Sequence, residues 1–408
     1  MHNCHNIEDL RLRARQVLPR GLFEFVDRGT EDETARAAIA RAFEQIRLKP
    51  RVLVDVSDCS TQAQFFGSRS GMPCVVAPTG AAGLLWHDGE IAVARAARAA
   101  GIPFTLSTAS IVSMERVAAE AGGRLWFQLY MWPERSMSYE LVARARAAGY
   151  EALMVTVDTA VTPNREYNLH NGFSLPMRIT RRNAVDVALH AGWFFNVFAR
   201  YLVRSGVPRF ENYPEQLRSS LADAPANRRM PKNDALTWDD LRELRRRWDG
   251  PLILKGVLHP EDALQALRCG ADAVVVSSHG GRNLDAAVAP VDILPQVLDA
   301  VRGRMDVFVD SGFTRGSHVA KAVALGAKGV LVGRAPLWGV AADGEPGATR
   351  ALQILQQELQ RVMALCGCRD LAALDATLLH LSGAAASPSR PAGTAARALT
   401  HSILEEQT

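Results

Sequence analysis

The residues with the most evident chemical capacity are His279 and Arg282, in the stretch Ser277-Ser278-His279-Gly280-Gly281-Arg282-Asn283-Leu284-Asp285. A titratable imidazole and a fixed cation lie within one turn of chain, and two adjacent glycines let the backbone bend tightly and approach a ligand closely. That combination suits an anionic substrate that must lose a proton. The apolar run Ala273-Val274-Val275-Val276 directly precedes it, so a buried strand ends where the polar residues begin. Alone, a histidine beside a glycine turn is more often structural than catalytic, and the rest of the chain decides the matter.

The same design recurs along the sequence. Short β-rich runs at 74–77, 104–107, 125–129, 153–157, 252–255, 273–277, 307–310 and 330–333 alternate with Ala-, Leu- and Arg-rich segments of helical period. Such βα units predict an α/β fold, a closed (β/α)8 TIM barrel whose functional residues sit at the C-terminal strand ends. Each strand end obliges. Pro78, Thr79 and Gly80 follow the first, Ser107 ends the second, Gln128 and Tyr130 belong to the third, and Thr156 and Asp158 to the fourth. Lys255 ends the fifth, Ser277, His279 and Arg282 the sixth, Asp310, Ser311 and Gly312 the seventh, and Gly333 and Arg334 the eighth. Exposure of strand ends accounts for some Ser, Thr and Gly. It does not account for Gln128 within an aromatic strand or Lys255 after an apolar one, since buried polar groups need partners.

Residues 5–50 read as an N-terminal helical cap, and 158–251 is too long for an ordinary βα connection, so an insertion follows the fourth strand. Within it, 176–233 carries about ten Lys and Arg against about four acids, and Trp193 to Arg204 mixes bulky apolar residues with arginines. Such a segment suits an anionic membrane surface, or equally a lid packed on its own barrel or on a neighbouring subunit. Residues 1–383 form one domain on this reading, and the Ala/Ser/Pro-rich 384–408 is expected to be disordered. Net charge is only +4, with 47 Lys and Arg against 43 Asp and Glu, which does not suggest a nucleic-acid partner. The start lacks the pattern of a signal peptide and no run has the length of an apolar span, so the expected location is cytoplasmic. The six cysteines are scattered, and Cys366-Gly367-Cys368 has the wrong spacing for a zinc or CxxC motif, so no metal is expected.

Taken in order, WFQLY, TVDTAVTPNRE, LILKG, SSHGGRNLD and VDSGFTRG followed by GVLVGR resemble the FMN-dependent α-hydroxy-acid dehydrogenase and oxidase family. The resemblance implies FMN across the barrel mouth. Pro78, Thr79 and Gly80 would lie against the ring system, with Ser107, Gln128, Thr156 and Ser277 around it and Lys255 near its N1/O2 edge. Asp310, Ser311, Gly312, Arg315, Gly333 and Arg334 would form the phosphate loops. It further implies that His279 is the base, that Asp158 orients it, and that Arg165, Arg282, Tyr130 and position 25 meet the substrate. The implied reaction oxidises an (S)-2-hydroxy acid, aromatic or bulky as in mandelate, to the 2-oxo acid, with a quinone or oxygen as acceptor. A homotetramer and peripheral contact with the inner face of the cytoplasmic membrane also follow from it.

The chain departs from the family pattern in several places. Phe25 replaces a tyrosine that bonds the carboxylate, Thr314 replaces one of an arginine pair, Ser278 replaces Asn, Asn168 replaces Asp, and Gly172 stands where Arg is common. Gly80 and Ala109 are smaller than in several relatives, which leaves room for a larger substrate side chain. Alternatives are lactate or glycolate oxidase-type activity, a flavin-dependent isomerase, and a flavin-binding protein of low activity. The arginine pair Arg165 and Arg282 argues against the isomerase, and intact His279 and Asp158 argue against the inactive binder.

Overall fold

Runs of Val, Ile, Leu and aromatic residues form parallel strands here, because a sheet covered on both faces removes every side chain of such a run from water. The computed structural model describes residues 3–173, 180–218 and 234–382. The sequence-predicted tail 384–408 and parts of the basic segment 176–233 lie outside the described residues. Eight strands close a barrel: β1 (Cys74–Thr79), β2 (Phe104–Ser107), β3 (Leu125–Leu129), β4 (Ala152–Thr156), β5 (Leu252–Val257), β6 (Ala273–Val276), β7 (Asp306–Val309) and β8 (Gly329–Val332), with β8 pairing back onto β1. Each coincides with an expected run to within one or two residues.

Register turns scattered residues into neighbours. Ser107 lies beside Gln128, and Thr156 beside Lys255, so polar side chains from four consecutive strands share one rim. After Lys255 the ladder shifts. Gly256 has φ +107, and a Cβ there would stand 2.7 Å from Cβ and Cγ of Asp158, so no residue but glycine lets the Asp158 loop close over β5.

The opposite end of the barrel is filled. Phe65, from the hairpin Ala63–Phe65/Ser68–Ser70, packs edge-on against Phe308 and Trp126 at centroid distances of 5.2 and 6.4 Å. It is fully buried and touches the N-terminal end of β8, where a Cβ on Gly329 would come within 2.9 Å of its ring. Inward-facing Val75, Met154, Ile253, Val275 and Leu331 complete this interior layer.

Three helices precede the barrel: α1 (Ile7–Val17), α2 (Arg20–Asp27) and α3 (Thr34–Gln45). Arg11 of α1 grips the buried carboxylate of Asp27 with bonds of 2.5 and 2.8 Å, fixing the C-terminal end of α2 above the mouth. Burial alone would raise the Asp27 carboxyl, but Arg11 and Arg36 hold it below the usual range. The final short strand, Leu379–Leu381, pairs antiparallel with Ile46–Leu48 and ties the two ends of the domain together.

The insertion carries helical turns over Arg181–Leu189 and from Ala191 to Arg204, including a π-helical turn at Phe194–Ala199. Trp193, Val197 and Tyr201, four residues apart, are buried on the chain's own barrel. Trp193 Nε1 donates to Leu84 O at 2.8 Å, and the Tyr201 hydroxyl accepts from Asp88 N at 2.8 Å while its ring stacks on His87. The other face leaves Phe195 68% and Val203 87% exposed, with Leu189 and Leu202 beside them. One face therefore packs as a lid would, and the other is bare.

Truncating the barrel floor should cost stability without touching the mouth. Phe65→Ala is expected to destabilise the protein by about 3–5 kcal/mol, as for other large-to-small changes at fully buried aromatics. Denaturant midpoints measure this, and an unchanged midpoint would show that the hairpin is not part of the cooperative core.

Candidate active site

Lys255 is buried to 4% exposure at the end of β5, and a cation so placed needs counter-charge. Its Nζ lies 2.8 Å from Asp310 Oδ2 and donates to Ser277 Oγ at 2.9 Å. Burial pulls the ammonium down, but Asp310 and Asp158 more than offset this and raise its pKa. Lys255 is thus a permanent positive charge in the mouth.

His279 lies one strand over. Its Nδ1 is 3.0 and 3.2 Å from the two Asp158 oxygens, which assigns the proton of the neutral ring to Nδ1 and leaves Nε2 as the free base. Burial alone would raise the Asp158 carboxyl, yet His279 and Lys255 hold it below the usual carboxylate range. Asn283 Nδ2 donates to Asp158 O at 2.7 Å, pinning the acid's backbone. The turn carrying the base runs through three consecutive left-handed residues: His279 at φ +56, Gly280 at +70 and Gly281 at +70.

The cationic end of the mouth is built against α2. Arg282 Nη1 donates to Arg28 O at 2.8 Å and its guanidinium lies 5.5 Å from the Phe25 ring centre. Arg334 donates to Val26 O at 3.1 Å, Arg28 O at 3.3 Å and Gly280 O at 2.9 Å. Both arginines therefore rest on the carbonyls at the negative end of one helix. Burial, reinforced by the like charges of Arg165 and Arg334, pulls Arg282 down to about 9, and burial with Arg36 pulls Arg334 down to about 10. Nε of Arg165 is buried with no partner among the described residues. Three guanidiniums with so little carboxylate nearby form a site for anions. The Tyr130 phenol adjoins them; burial and Asp158 push it up to about 12, so it stays protonated and able to donate.

A flavin fits the polar atoms left over. Ser107 Oγ and Thr108 N both donate to Gln128 Oε1, at 3.0 and 3.3 Å, which fixes the amide with Nε2 pointing away. That Nε2 and Thr156 Oγ1 are buried without partners among the described residues. Donors of this kind in the mouth match the carbonyl and nitrogen edge of an isoalloxazine ring, with Lys255 next to them in register.

Several of the expected cofactor residues are also engaged with other parts of the chain. Asp310, expected in a phosphate loop, is the counter-ion of Lys255, whose buried ammonium needs one. Ser311 bonds Asp310 Oδ1 and the Gly280 amide. Arg315 pairs with Glu358 at 2.7 Å on the long helix Arg334–Leu365, and the same carboxylate accepts from Gly316 N. Gly312, at φ +85, is required by packing: a Cβ would meet Ile39 of α3 at 2.4 Å. Pro78, Thr79 and Gly80 end β1 and open the following turn, and Gly333 precedes the long helix. Sequence reasoning passed over Asn283, which adjoins Arg282 within the quoted motif, and Tyr167, two residues after Arg165, whose buried hydroxyl has no partner among the described residues.

Comparison with known proteins places these features in context. The FMN-dependent dehydrogenase family profile matches residues 14–381. The chain is 41% identical over 381 residues to (S)-mandelate dehydrogenase of Pseudomonas putida, covering 93% of this chain and 95% of that protein. It is 40% identical over 373 residues to L-lactate dehydrogenase of Caulobacter vibrioides, covering 91% and 96%. A crystal structure of the monotopic membrane protein (S)-mandelate dehydrogenase superposes with a TM-score of 0.87 at 41% identity, covering 93% of this chain and all of that one.

Replacing the base tests the site directly. His279→Gln should retain FMN and lose flavin reduction by a factor on the order of 10²–10⁴, the usual cost of removing a general base. Anaerobic stopped-flow spectra measure both, and reduction at the parental rate would remove His279 and Asp158 from the chemistry.

Proposed function

Because this chain belongs to the FMN-dependent dehydrogenase family and is an oxidoreductase that oxidises a 2-hydroxy acid, we propose that its preferred substrate carries an aromatic or bulky side chain, as mandelate does. The observation that carries this reading is the absence of side-chain bulk at two facing loops of the mouth. Gly80 packs closely on Ala109, whose oxygen and Cβ would meet an added Cβ at 3.3 and 3.4 Å, so neither position puts a side chain larger than a methyl at this rim. Phe25 adds an apolar surface beside Arg282 where a hydroxyl would favour small polar acids.

In this assignment Arg165 and Arg282 bind the carboxylate, which offsets the charge that burial leaves uncompensated. Tyr130 donates to the substrate oxygen. His279 takes the substrate proton on Nε2, and Asp158 stabilises the imidazolium through Nδ1. Gln128, Thr156, Ser107 and Ser277 hold the edge of the cofactor, with Pro78, Thr79 and Gly80 against its ring and Gly312, Gly333 and Arg334 toward its phosphate. Bound FMN supplies the two-electron acceptor. Lys255 keeps a fixed positive charge at the edge where negative charge develops.

The bare face of the insertion supports monotopic contact with a membrane and delivery of electrons to a quinone, with oxygen as the alternative acceptor. Among the described residues no helix is long and apolar enough to cross a membrane, so contact would be interfacial. Replacing both Phe195 and Val203 by Glu should move the protein from the membrane fraction to the soluble one with FMN retained. A parent protein wholly soluble at low salt would assign the face to a subunit contact, within the homotetramer that the family resemblance implies.

Substrate preference is read by anaerobic flavin bleaching with glycolate, lactate and mandelate. Phe25→Tyr should lower KM several-fold for the small acids and not for mandelate, in line with about 0.5–1.5 kcal/mol for one added hydrogen bond. Equal improvement for all three acids would sink the proposed adaptation to bulky substrates.

A further inference from the structure

Two residues with side chains hold the left-handed backbone conformation in the loops after β6 and β7, His279 at φ +56 and Ser311 at φ +78, each followed by glycine in the same region. A run of left-handed residues makes no strand or helix ladder, so its amides need other acceptors; Gly281 N finds Ser278 O at 3.0 Å, and the two amides before it find side chains. The His279 amide donates to Ser277 Oγ at 3.0 Å, and the Gly280 amide to Ser311 Oγ at 3.0 Å. Ser277 Oγ also accepts from Lys255 Nζ at 2.9 Å. Ser311 Oγ donates to Asp310 Oδ1 at 2.8 Å, while the other oxygen of Asp310 faces Lys255 at 2.8 Å. Ser278 Oγ supplies the third contact of Ser311, at 3.3 Å. One donor and two acceptor sites are all that a hydroxyl has, and all three are used.

We propose that Ser311 is a positioning residue that couples the charge of Lys255 to the backbone turn carrying His279. The inference rests on the FMN-dependent reading above and gives Ser311, expected there in a phosphate loop, a different role. With the hydroxyl in place, the charge of Asp310 is shared between Lys255 and Ser311. Without it, Asp310 turns wholly to Lys255, so less of the ammonium's field reaches the bound flavin, and the Gly280 amide loses its acceptor. Strain at position 311 is tolerated because the hydroxyl is saturated there, and not for want of a smaller residue.

Two substitutions separate hydroxyl from backbone. Ser311→Gly removes the hydroxyl and relaxes φ; Ser311→Ala removes the hydroxyl and keeps the Cβ. Both holoenzymes are expected to bind sulfite about tenfold more weakly than the parent, with the FMN midpoint potential lowered correspondingly by about 30 mV for a two-electron couple. Flavin reduction at saturating substrate should slow while KM stays constant, and thermal midpoints should separate, with Gly above Ala because only Gly relieves φ +78. Ser278→Ala, which removes only the weakest contact, should shift sulfite binding in the same direction by a smaller factor. The proposal is overturned if both Ser311 variants keep sulfite affinity within twofold of the parent, or if Gly and Ala differ in it. Selective loss of FMN retention overturns it too, since Ser311 would then serve the phosphate loop. A parent that takes up no FMN would instead sink the family reading, and that outcome is visible before any variant is made.

Discussion

An ammonium in the middle of a barrel mouth, with 4% of its surface exposed, is the constraint that orders this site. Lys255 cannot stay charged there without Asp310, and Asp310 cannot reach it unless β5, β6 and β7 stand in the observed register. The bulge at Gly256 then brings Asp158 over the same strand, close enough for Lys255 to help hold that acid ionised. An ionised Asp158 fixes the tautomer of His279. Base, acid and fixed cation are therefore one electrostatic unit, and a change at any member reaches the others.

The anionic requirement of the site arises from a different source. Arg282 and Arg334 are compensated mainly by carbonyls at the end of α2, which is held by the Arg11–Asp27 pair. A helix end offers partial charge only, so two buried guanidiniums remain short of counter-charge. The N-terminal cap thus does more than cover the barrel: it shapes a place that an anion completes.

The barrel was legible because each strand is a contiguous apolar run ending in a polar residue, and adjacency around a closed barrel follows chain order. Gln128 and Lys255 could be picked out because a polar side chain in such a run has no cheap explanation. The pairing of Asp310 with Lys255 could not be read from the sequence because the two lie 55 positions apart and on different strands. The clamp on α2 was invisible for another reason. Its acceptors are backbone carbonyls, which every residue possesses, so nothing in Val26 or Arg28 marks them. The insertion carries one packed face and one bare apolar face, which composition could not separate because it reports only the sum of a helix's two sides.

The aromatic plug of Phe65, Trp126 and Phe308 gives the barrel a single doorway. Hydroxy acid, keto acid and electron acceptor must all pass the rim formed by α2 and the insertion, because the far side is solid. Traffic through one doorway favours taking turns, with the oxidised acid leaving before the acceptor draws near. The insertion is anchored beside that doorway, through Trp193 to Leu84 O and Tyr201 to Asp88 N, so a substitution that loosens those contacts reaches the passage every reactant shares.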